Sequence, residues 1–267
     1  MTRIPVRLVA PLVLLLATSC SEDSTTPEDS GPPPGSEARV VVCESFTNYS
    51  SFLCVPAAQS LQQAIAEVGP EQVFEVNPHV NFPGAADPMF GFNPPANLAR
   101  MALNQVSNTP TILVDGAPVP QTELVSPAAV QARIEAALGV PAPIALEVRG
   151  QLHAASYAVA VDLWGVASDI SDDLYLFTWV VEREVVLNPA GPNGQTTYTN
   201  VLRQLFPIPA SGGTGGEALG SIGAGEHRHF EYSYDFPAGV DSTELAAVAF
   251  IQESGPPRSV VQGRATF

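Results

Sequence analysis

The sequence predicts an α/β domain over residues 38–140, followed by an all-β antiparallel sandwich domain over residues 141–267. Up to residue 138, short apolar runs alternate with stretches of helical periodicity, which is typical of α/β proteins. Beyond residue 143, apolar and polar residues alternate with a period of two, as in half-buried strands. Between the two regions, Gly139-Val140-Pro141-Ala142-Pro143 ends a helix and stiffens the chain, which predicts a domain boundary.

The first twenty residues predict an export signal rather than part of the fold. Arg3 and Arg7 form a basic start, and the apolar run that follows is too short to span a membrane. Ala17-Thr18-Ser19-Cys20 resembles the cleavage site of bacterial lipoproteins, so we expect Cys20 to become the lipidated first residue. A plain signal peptide cut near Cys20 is the alternative. Residues 21–37 contain no large apolar residue and predict a disordered tether.

The elements of the first domain follow in the order βαβ and then αββα. Pro56 suits the start of the first helix, Gly69-Pro70 ends it, and Asp115-Gly116 indicates a tight turn. Residues 77–95 are rich in Pro, Gly and Asn and predict a loop. The predicted strands are residues 40–46, 73–76 and 111–114 with a return strand from Val119, and the predicted helices are residues 57–68, 96–106 and 127–138.

The second domain predicts several short strands with turn residues between them, as in an antiparallel sandwich. The strand candidates are residues 146–152, 159–163, 174–186, 230–234, 246–251 and 259–266.

Composition excludes one class of partner. The net charge is −16, and eleven basic residues face 27 acidic ones. All the basic residues are arginines, and they form no cluster, which excludes nucleic-acid binding. No motif for a phosphate, a metal or another cofactor is present, so we expect none to be bound.

Two segments of the first domain resemble the thioredoxin-like superfamily. Residues 44–56 follow the apolar run Val40-Val41-Val42 and resemble the strand, active-site turn and helix start of that superfamily. Asn108-Thr109-Pro110-Thr111 resembles its cis-proline loop. Over residues 38–267 the chain resembles the twenty-eight-kilodalton outer-membrane-protein-related family of bacterial lipoproteins. The residues that carry this resemblance are Glu44, Phe46, Thr47, Cys54, Asp87-Pro88, Arg100, Thr109-Pro110-Thr111, Val201-Leu202-Arg203 and residues 248–252.

The active-site turn departs from the superfamily at the residue that matters for catalysis. Where Cys-x-x-Cys is usual, this chain has Ser51-Phe52-Leu53-Cys54. Thiol–disulfide exchange needs a thiolate nucleophile, and a serine hydroxyl cannot form a mixed disulfide. The position of the buried acid in redox-active relatives holds Ser45. We therefore expect Cys54 to be a small buried residue one helical turn inside the helix, and the domain not to be an enzyme.

Thr109 and Pro110 are candidate binding residues. In redox-active relatives the backbone beside the cis-proline pairs with an extended substrate, so the resemblance implies a groove for a peptide or an envelope protein. A turn that only maintains the fold explains the proline equally well.

The remaining candidates have structural explanations. Cys43 and Cys54 could form a disulfide in an oxidising compartment. Cys43 lies two strand residues before the buried-acid position and therefore further from the turn, which argues against the bond. His227 and His229 share one strand face and could ligate a metal, but a solvated strand face is the simpler explanation, so no metal site is predicted. Asp87 with Asn81 could bind a cation, but Asp87-Pro88 is more often a turn.

The sequence therefore predicts an exported lipoprotein of the cell envelope, lipid-anchored to the outer membrane. Its degenerate thioredoxin-like domain would serve as a non-catalytic binding or assembly module. The alternative is a thiol–disulfide oxidoreductase or thiol-dependent chaperone that works through Cys54.

Overall fold

The computed structural model describes residues 31–168, 170, 173–210, 213 and 215–267. Residues 31–267 form one compact unit. The predicted signal peptide, Cys20 and residues 21–30 lie outside the described residues. No helix in the described part is both long and apolar enough to cross a membrane.

Helices are concentrated in the first half of the chain. The elements there are β1 (Val41–Phe46), α1 (Cys54–Val68), β2 (Val73–Val76), α2 (Pro88–Phe92), α3 (Pro94–Leu103), β3 (Thr111–Val114), β4 (Ala117–Pro118) and α4 (Pro127–Leu138). The four strands form one sheet in the order β2-β1-β3-β4. β1 runs parallel to β2 and antiparallel to β3, and β4 is antiparallel to β3.

The second half of the chain is almost entirely β-structure in two antiparallel sheets. Its strands are β5 (Ile144–Leu152), β6 (Ser156–Gly165), β7 (Leu174–Val186), β8 (Thr197–Phe206), β9 (Glu217–Ala218), β10 (His227–Asp235), β11 (Leu245–Glu253) and β12 (Val260–Ala265). One sheet has the order β10-β6-β5. The other has the order β12-β11-β7-β8, with β9 also paired to β7.

Successive side chains of a strand point to opposite faces of its sheet, and the packing of these faces forms layers. On β11, Ala247, Ala249 and Ile251 face the three-stranded sheet and fill a sandwich core with Leu163. The other face of the β11–β7 pair carries Phe177, Trp179 and Phe250, which pack against Val42, Phe74 and Ala99 of the first half. The opposite face of the four-stranded sheet is covered by α1 and α4. Each half of the chain therefore has a core of its own, and a third core is shared between the halves. The strand alternation predicted from sequence separates the two faces that form these cores.

A buried ion pair crosses this shared core. Arg100 of α3 is fully buried and donates from Nε and Nη2 to the carboxylate of Glu44 on β1, at 3.0 and 2.6 Å. It also donates to Oε1 of Gln252 on β11, at 3.2 and 3.1 Å. The guanidinium lies over the ring of Phe177, with Cζ 4.5 Å from its centroid. The residues joined in this cluster come from both halves of the chain.

Several predicted boundaries are wrong by a few residues. α1 begins at Cys54, so Cys54 is the first helical residue and does not lie one turn inside the helix. Pro56 is tolerated in the first turn because the N–H groups there have no intrahelical partner. The predicted loop 77–95 contains the short helix α2, which Asp87 caps by accepting from the N–H groups of Met89 and Phe90. The return strand precedes Val119 and has only two residues.

The described end of the predicted tether makes contacts with the fold. Ser36 is buried, and its carbonyl accepts a hydrogen bond from the N–H of Leu146. Gln262 on β12 donates to the carbonyls of Ala38 and Ile144. The chain therefore enters the fold between the two halves, beside β5 and β12.

Candidate functional site

The turn between β1 and α1 is held by its own polar side chains. Asn48 is fully buried and donates from Nδ2 to the carbonyls of Val80 and Gly84, at 2.7 and 2.9 Å. Its Oδ1 accepts from the N–H of Ser50 at 2.9 Å. The N–H of Cys54 then bonds the carbonyl of Ser51 at 3.2 Å, which leads into α1. This geometry fixes the turn at residues 48–54, where the sequence places the degenerate motif.

Ser51 and Cys54 are both closed off from solvent. Ser51 is 6% exposed and Cys54 is 2% exposed. A loop of the second half, between β7 and β8, lies against them. The N–H of Asn193 bonds the carbonyl of Tyr49 at 3.2 Å, and its Nδ2 bonds the carbonyl of Ser51 at 3.5 Å. We define residues 187–196 as the covering loop.

Neither described cysteine has the properties of a reactive thiol. Cys43 and Cys54 are both free and buried. Burial raises the pKa of the Cys43 thiol well above its ordinary value, and the nearby Asp115 raises it further. Cys43 therefore carries little thiolate, and Cys54 is closed off from a substrate by its burial. The disulfide that the sequence left open is not formed.

A buried histidine–aspartate pair lies beside the turn. His79 Nδ1 and Asp87 Oδ2 are 2.8 Å apart, and both side chains are fully buried. Asp87 Oδ2 also accepts from the N–H of Tyr49 at 2.8 Å. Burial alone would raise the pKa of Asp87, but these hydrogen bonds outweigh it and the pKa is lowered. Asp87 therefore joins the turn, α2 and His79, rather than forming a cation site with Asn81.

The covering loop leads into β8, which closes this pair from the other side. The ring of Tyr198 packs edge-on against His79, with centroids 5.6 Å apart, and its hydroxyl donates to Oδ1 of Asn193 at 3.3 Å. The pKa of Tyr198 is raised to about 12, first by burial and then by the charge of Asp87. The phenol therefore stays neutral and acts as a hydrogen-bond donor.

A cavity of about 20 Å³ lies beside the contact between β2 and β8. His79 lines it, and Nε2 of His79 has no hydrogen-bond partner among the described residues. Ser45 and Glu75 also line it, and burial raises the pKa of the Glu75 carboxyl, which accepts from the hydroxyl of Thr199 at 2.8 Å. This volume is enough for one water molecule with several polar partners. The cavity suits a structural water and is too small for an organic substrate.

The turn presents apolar side chains outward while it buries its polar ones. Phe52 is 71% exposed and Leu53 is 66% exposed. Val186, at the end of β7 beside the covering loop, is 62% exposed. Residues 45–66 and 185–202 contain no Asp, Glu, Lys or Arg, although the whole chain has a net charge of −16. These two segments are therefore uncharged on an otherwise acidic protein, and Phe52 and Leu53 are exposed apolar side chains at the turn.

Thr109 contacts the same loop that supports the turn, and Pro110 follows it in the chain. Pro110 is buried, the Thr109–Pro110 peptide bond is cis, and the Pro110 carbonyl accepts from Nε2 of Gln121 at 3.0 Å. The hydroxyl of Thr109 reaches the carbonyl of Phe82 at 3.4 Å. Because Phe82 lies between Val80 and Gly84, which bond Asn48, the segment 80–84 connects both candidate sites.

The two strand histidines are held by a carboxylate. His227 Nε2 and His229 Nδ1 each lie 2.8 Å from Oδ1 of Asp162 on the neighbouring strand β6. The hydrogen bond to Asp162 raises the pKa of His229. In the described part of the chain, no group of three or more His, Cys, Asp or Glu side chains could hold a metal ion.

Sequence reasoning missed the contacts that shape this site. His79 and Asp87 are eight residues apart in a predicted loop, where no periodicity indicates which side chains meet. Tyr198 and Asn193 come from the second half of the chain, and a single sequence carries no signal for their contact with residues 48–54. The sequence shows that Phe52 and Leu53 are apolar, but it does not show that their side chains are exposed.

Comparisons with known proteins place the fold among solved structures. No protein-family model matches the chain, and no curated protein matches it. HBP35 of Porphyromonas gingivalis overlaps with a TM-score of 0.71 at 17% identity, over 85% of this chain and 74% of that one. Protein AGR_C_4864 from Agrobacterium tumefaciens overlaps with a TM-score of 0.55 at 16% identity, over 86% and 94% of the two chains. These two likenesses show a shared fold and do not identify an activity.

A third solved structure overlaps more weakly. It is a domain of the outer membrane lipoprotein Omp28 from Porphyromonas gingivalis, with a TM-score of 0.31 at 15% identity over 47% of this chain and 88% of that one. An overlap of this size supports no inference about this chain.

Proposed function

We propose that this chain is an exported, lipid-anchored protein of the cell envelope whose thioredoxin-like domain binds a partner and has no redox activity. The observation that carries the proposal is the combination at the turn: Ser51 and Cys54 are buried, while Phe52 and Leu53 project into solvent. A thiol oxidoreductase needs the reverse, because its nucleophile must reach a substrate disulfide. The sheet order β2-β1-β3-β4, with α1 after β1, supports the thioredoxin-like assignment.

The proposed partner is an extended, apolar and uncharged segment of another envelope protein. Two exposed apolar side chains on a surface without charges favour a partner of this kind, because a charged segment would lose hydration there and gain no ion pair. Thr109 and Pro110, which share the supporting segment 80–84 with the turn, are the proposed second part of the groove. An enzyme working through Cys54 stays the alternative, although the burial of that thiol argues against it.

Partner binding can be tested by capture from detergent-solubilised envelopes, with the mature protein as bait. The Phe52→Ser, Leu53→Ser double variant should lose any specifically captured protein. The matched control is Ile208→Ser, which replaces an equally exposed apolar residue, 70% exposed, outside residues 48–54. If capture survives the double variant, or if Ile208→Ser abolishes it equally, the partner does not bind at Phe52 and Leu53.

The absence of redox activity can be tested with insulin as the disulfide substrate. The mature protein should not accelerate insulin reduction, since Ser51 cannot attack a disulfide. The Ser51→Cys variant should form a disulfide with Cys54, and the Ser51→Cys, Cys54→Ala double variant should not. Wild-type turnover would restore the enzymatic alternative, and failure of Ser51→Cys to oxidise would contradict the proposed motif.

The lipid anchor can be tested independently of binding. Cys20→Ala should release the protein from the membrane fraction, while Ser21→Ala, the adjacent matched change, should leave it there. An unchanged membrane fraction for Cys20→Ala would overturn the anchoring proposal and leave the binding proposal untouched.

A further inference from the structure

β10 (His227–Asp235) is a nine-residue edge strand at one end of the three-stranded sheet β10-β6-β5. Other long edge strands of the molecule are covered at least in part. On β5, the N–H of Leu146 bonds the carbonyl of Ser36 at 3.0 Å, and β2 and β8 meet at the bridge between Asn77 and Val201. β10 pairs with β6 on one side and with no described strand on the other.

The pairing with β6 determines which residues of β10 direct their backbone groups to the free side. The N–H of Gly165 bonds the carbonyl of Glu226 at 3.0 Å, one step before the pair formed by His227 and Trp164. Backbone groups of successive strand residues point to opposite sides, so the odd-numbered residues of β10 point away from β6. No described residue bonds the N–H or C=O groups on this side. The residues are His227, His229, Glu231, Ser233 and Asp235.

The side chains of β10 make this edge complementary to itself. A two-fold axis between two copies places residue i opposite residue j, and residue j opposite residue i. With the axis at Phe230, antiparallel pairing puts His229 opposite the partner's Glu231, and the reverse pair forms as well. The side chains of His229 and Glu231 are 43% and 78% exposed, and they lie on the same face of the sheet. Opposite charges directly across two paired strands stabilise the pairing.

Other symmetric registers fit less well. With the axis at Glu231, two glutamates would lie opposite each other, and like charges in this position are destabilising. With the axis at Tyr232, His227 would lie opposite the partner's Pro237, which has no N–H to donate. The axis at Phe230 also brings together the two Phe230 rings, each half-buried against its own sandwich core, and an aromatic pair of this kind is favourable.

We propose that two copies of this chain pair through β10, antiparallel and about a two-fold axis at Phe230, so that their three-stranded sheets join into one. The outward backbone groups then bond those of the partner, and each His229 meets the partner's Glu231. β10 contains none of residues 48–54 and no part of the covering loop. This surface is therefore separate from the proposed partner-binding surface and does not depend on it.

The proposal can be tested by analytical ultracentrifugation of the mature chain with Cys20 replaced. We expect a reversible equilibrium between monomer and dimer. Ser233→Pro removes an outward N–H group of β10 and leaves the bonds to β6 in place, so the dissociation constant should rise at least about tenfold. Ser233→Ala is the matched control, because it keeps the N–H group, and it should leave the dissociation constant unchanged.

Two results of this experiment would overturn the proposal. One is a wild-type chain that sediments as a monomer at concentrations up to about 0.3 mM. The other is a dimer that Ser233→Pro leaves intact, because the two copies would then associate at another surface. If Ser233→Pro does not fold, as judged by circular dichroism, the charge variants described next decide the proposal.

A pair of charge variants tests the register. Glu231→Arg places two positive groups opposite each other, and His229→Glu places two negative groups opposite each other, so each variant alone should dimerise at least about tenfold more weakly. In a mixture of the two, every positive side chain lies opposite a glutamate, and a mixed dimer about as tight as the wild-type dimer should form. Glu184→Arg is the control for the change in net charge, because Glu184 is exposed on β7 of the other sheet.

Recovery of association in the mixture would establish that His229 and Glu231 face each other across the interface. If mixing does not restore the dimer, or if Glu184→Arg weakens it as much as Glu231→Arg does, the two copies do not pair in this register and the proposal is wrong.

Discussion

Arg100 illustrates at the scale of single residues why a family pattern can be structural rather than catalytic. The resemblance named Glu44, Arg100 and the strand ending in Gln252, and the structure brings them together in one buried cluster. The sequence indicated that these residues belong to a pattern but gave no sign that they touch, because they are 56 and 152 residues apart. Their contact joins the two halves of the chain.

Removing the positive charge of this cluster should be strongly destabilising. Arg100→Met leaves the buried Glu44 carboxylate without its partner, and we expect a loss of about 3–5 kcal/mol in the free energy of unfolding. The Glu44→Leu, Arg100→Met double variant should lose less, because no charge stays buried. Chemical denaturation measures both. Arg183→Met, which breaks an exposed pair with Glu244, should cost less than about 1 kcal/mol; a similar loss there would contradict the argument.

Asp115 should give the protein a specific dependence of stability on pH. Burial raises its pKa from 3.8 to about 6, against the opposing charge of Arg39 and the hydrogen bond from Val42. Between these two values the folded protein holds a proton that the unfolded chain releases, so the contribution of Asp115 to stability falls as pH rises through this window. Its contribution is most favourable below about pH 4 and is lost above about pH 6.

The matched variant for this pH dependence is Asp115→Asn, whose amide oxygen can still accept from the N–H of Val42. The difference in unfolding free energy, wild type minus variant, should fall by up to about 3 kcal/mol between pH 4 and pH 7. Denaturant titrations at several pH values measure it, and the other titrating groups cancel in the difference. Parallel pH profiles for the two proteins would contradict the raised pKa.

At the scale of elements, the sequence predicted best those segments whose pattern comes from one buried face. α4 and β7 have the bounds that apolar periodicity indicates, because each packs a regular face against a core. α2 escaped notice because its five residues are too few to show a period, and it is set by the Asp87 cap. The role of the covering loop could not be predicted, since it depends on a contact between residues about 140 positions apart.

The covering loop should control access to Cys54. Asn193→Ala removes the side-chain bonds to Ser51, Tyr198 and Gln195. We expect Cys54 to react with a thiol reagent roughly tenfold faster under native conditions, since about 1.4 kcal/mol less is needed to open the loop. The assay uses the mature chain with Cys20 replaced. Thr196→Ala, an exposed position on the same loop, should not change the rate; equal acceleration would mean that the loop does not act through Asn193.

At the scale of the whole molecule, the boundary predicted near residue 140 separates two halves that each have a core of their own, and a third core is shared across the boundary. Val42, Phe74 and Ala99 pack in the same cluster as Trp179 and Phe250. At Gly263 on β12, a Cβ atom would lie 2.5 Å from Cγ2 of Val42, so the contact between the halves is close. Composition and periodicity could not show this, because an apolar strand face looks the same whether a helix or another sheet covers it.

The shared core predicts that both halves unfold together. Tryptophan fluorescence reports the second half, where Trp164 and Trp179 lie, and far-ultraviolet circular dichroism also reports the helices of the first. The two denaturation curves should coincide, as in a two-state transition. A fragment of residues 38–140 should be expressed largely insoluble or unfolded. Separate transitions, or a stable fragment of residues 38–140, would contradict a shared core.

The bridge between Asn77 and Val201 has a consequence for how this protein behaves at high local concentration. β2 and β8 are edge strands of their sheets. An unpaired edge strand can pair with a strand of another chain and so lead to aggregation. Here the N–H of Asn77 bonds the carbonyl of Asn200 at 2.9 Å, and the N–H of Leu202 bonds the carbonyl of Asn77 at 3.3 Å, so each edge shields the other. The proposed lipid anchor would concentrate the chain on a membrane surface, where such mutual shielding would limit aggregation. A chimera that replaces one half of the chain would therefore need a matching edge strand in the other half. Without it, the edges of β2 and β8 would be exposed to other chains.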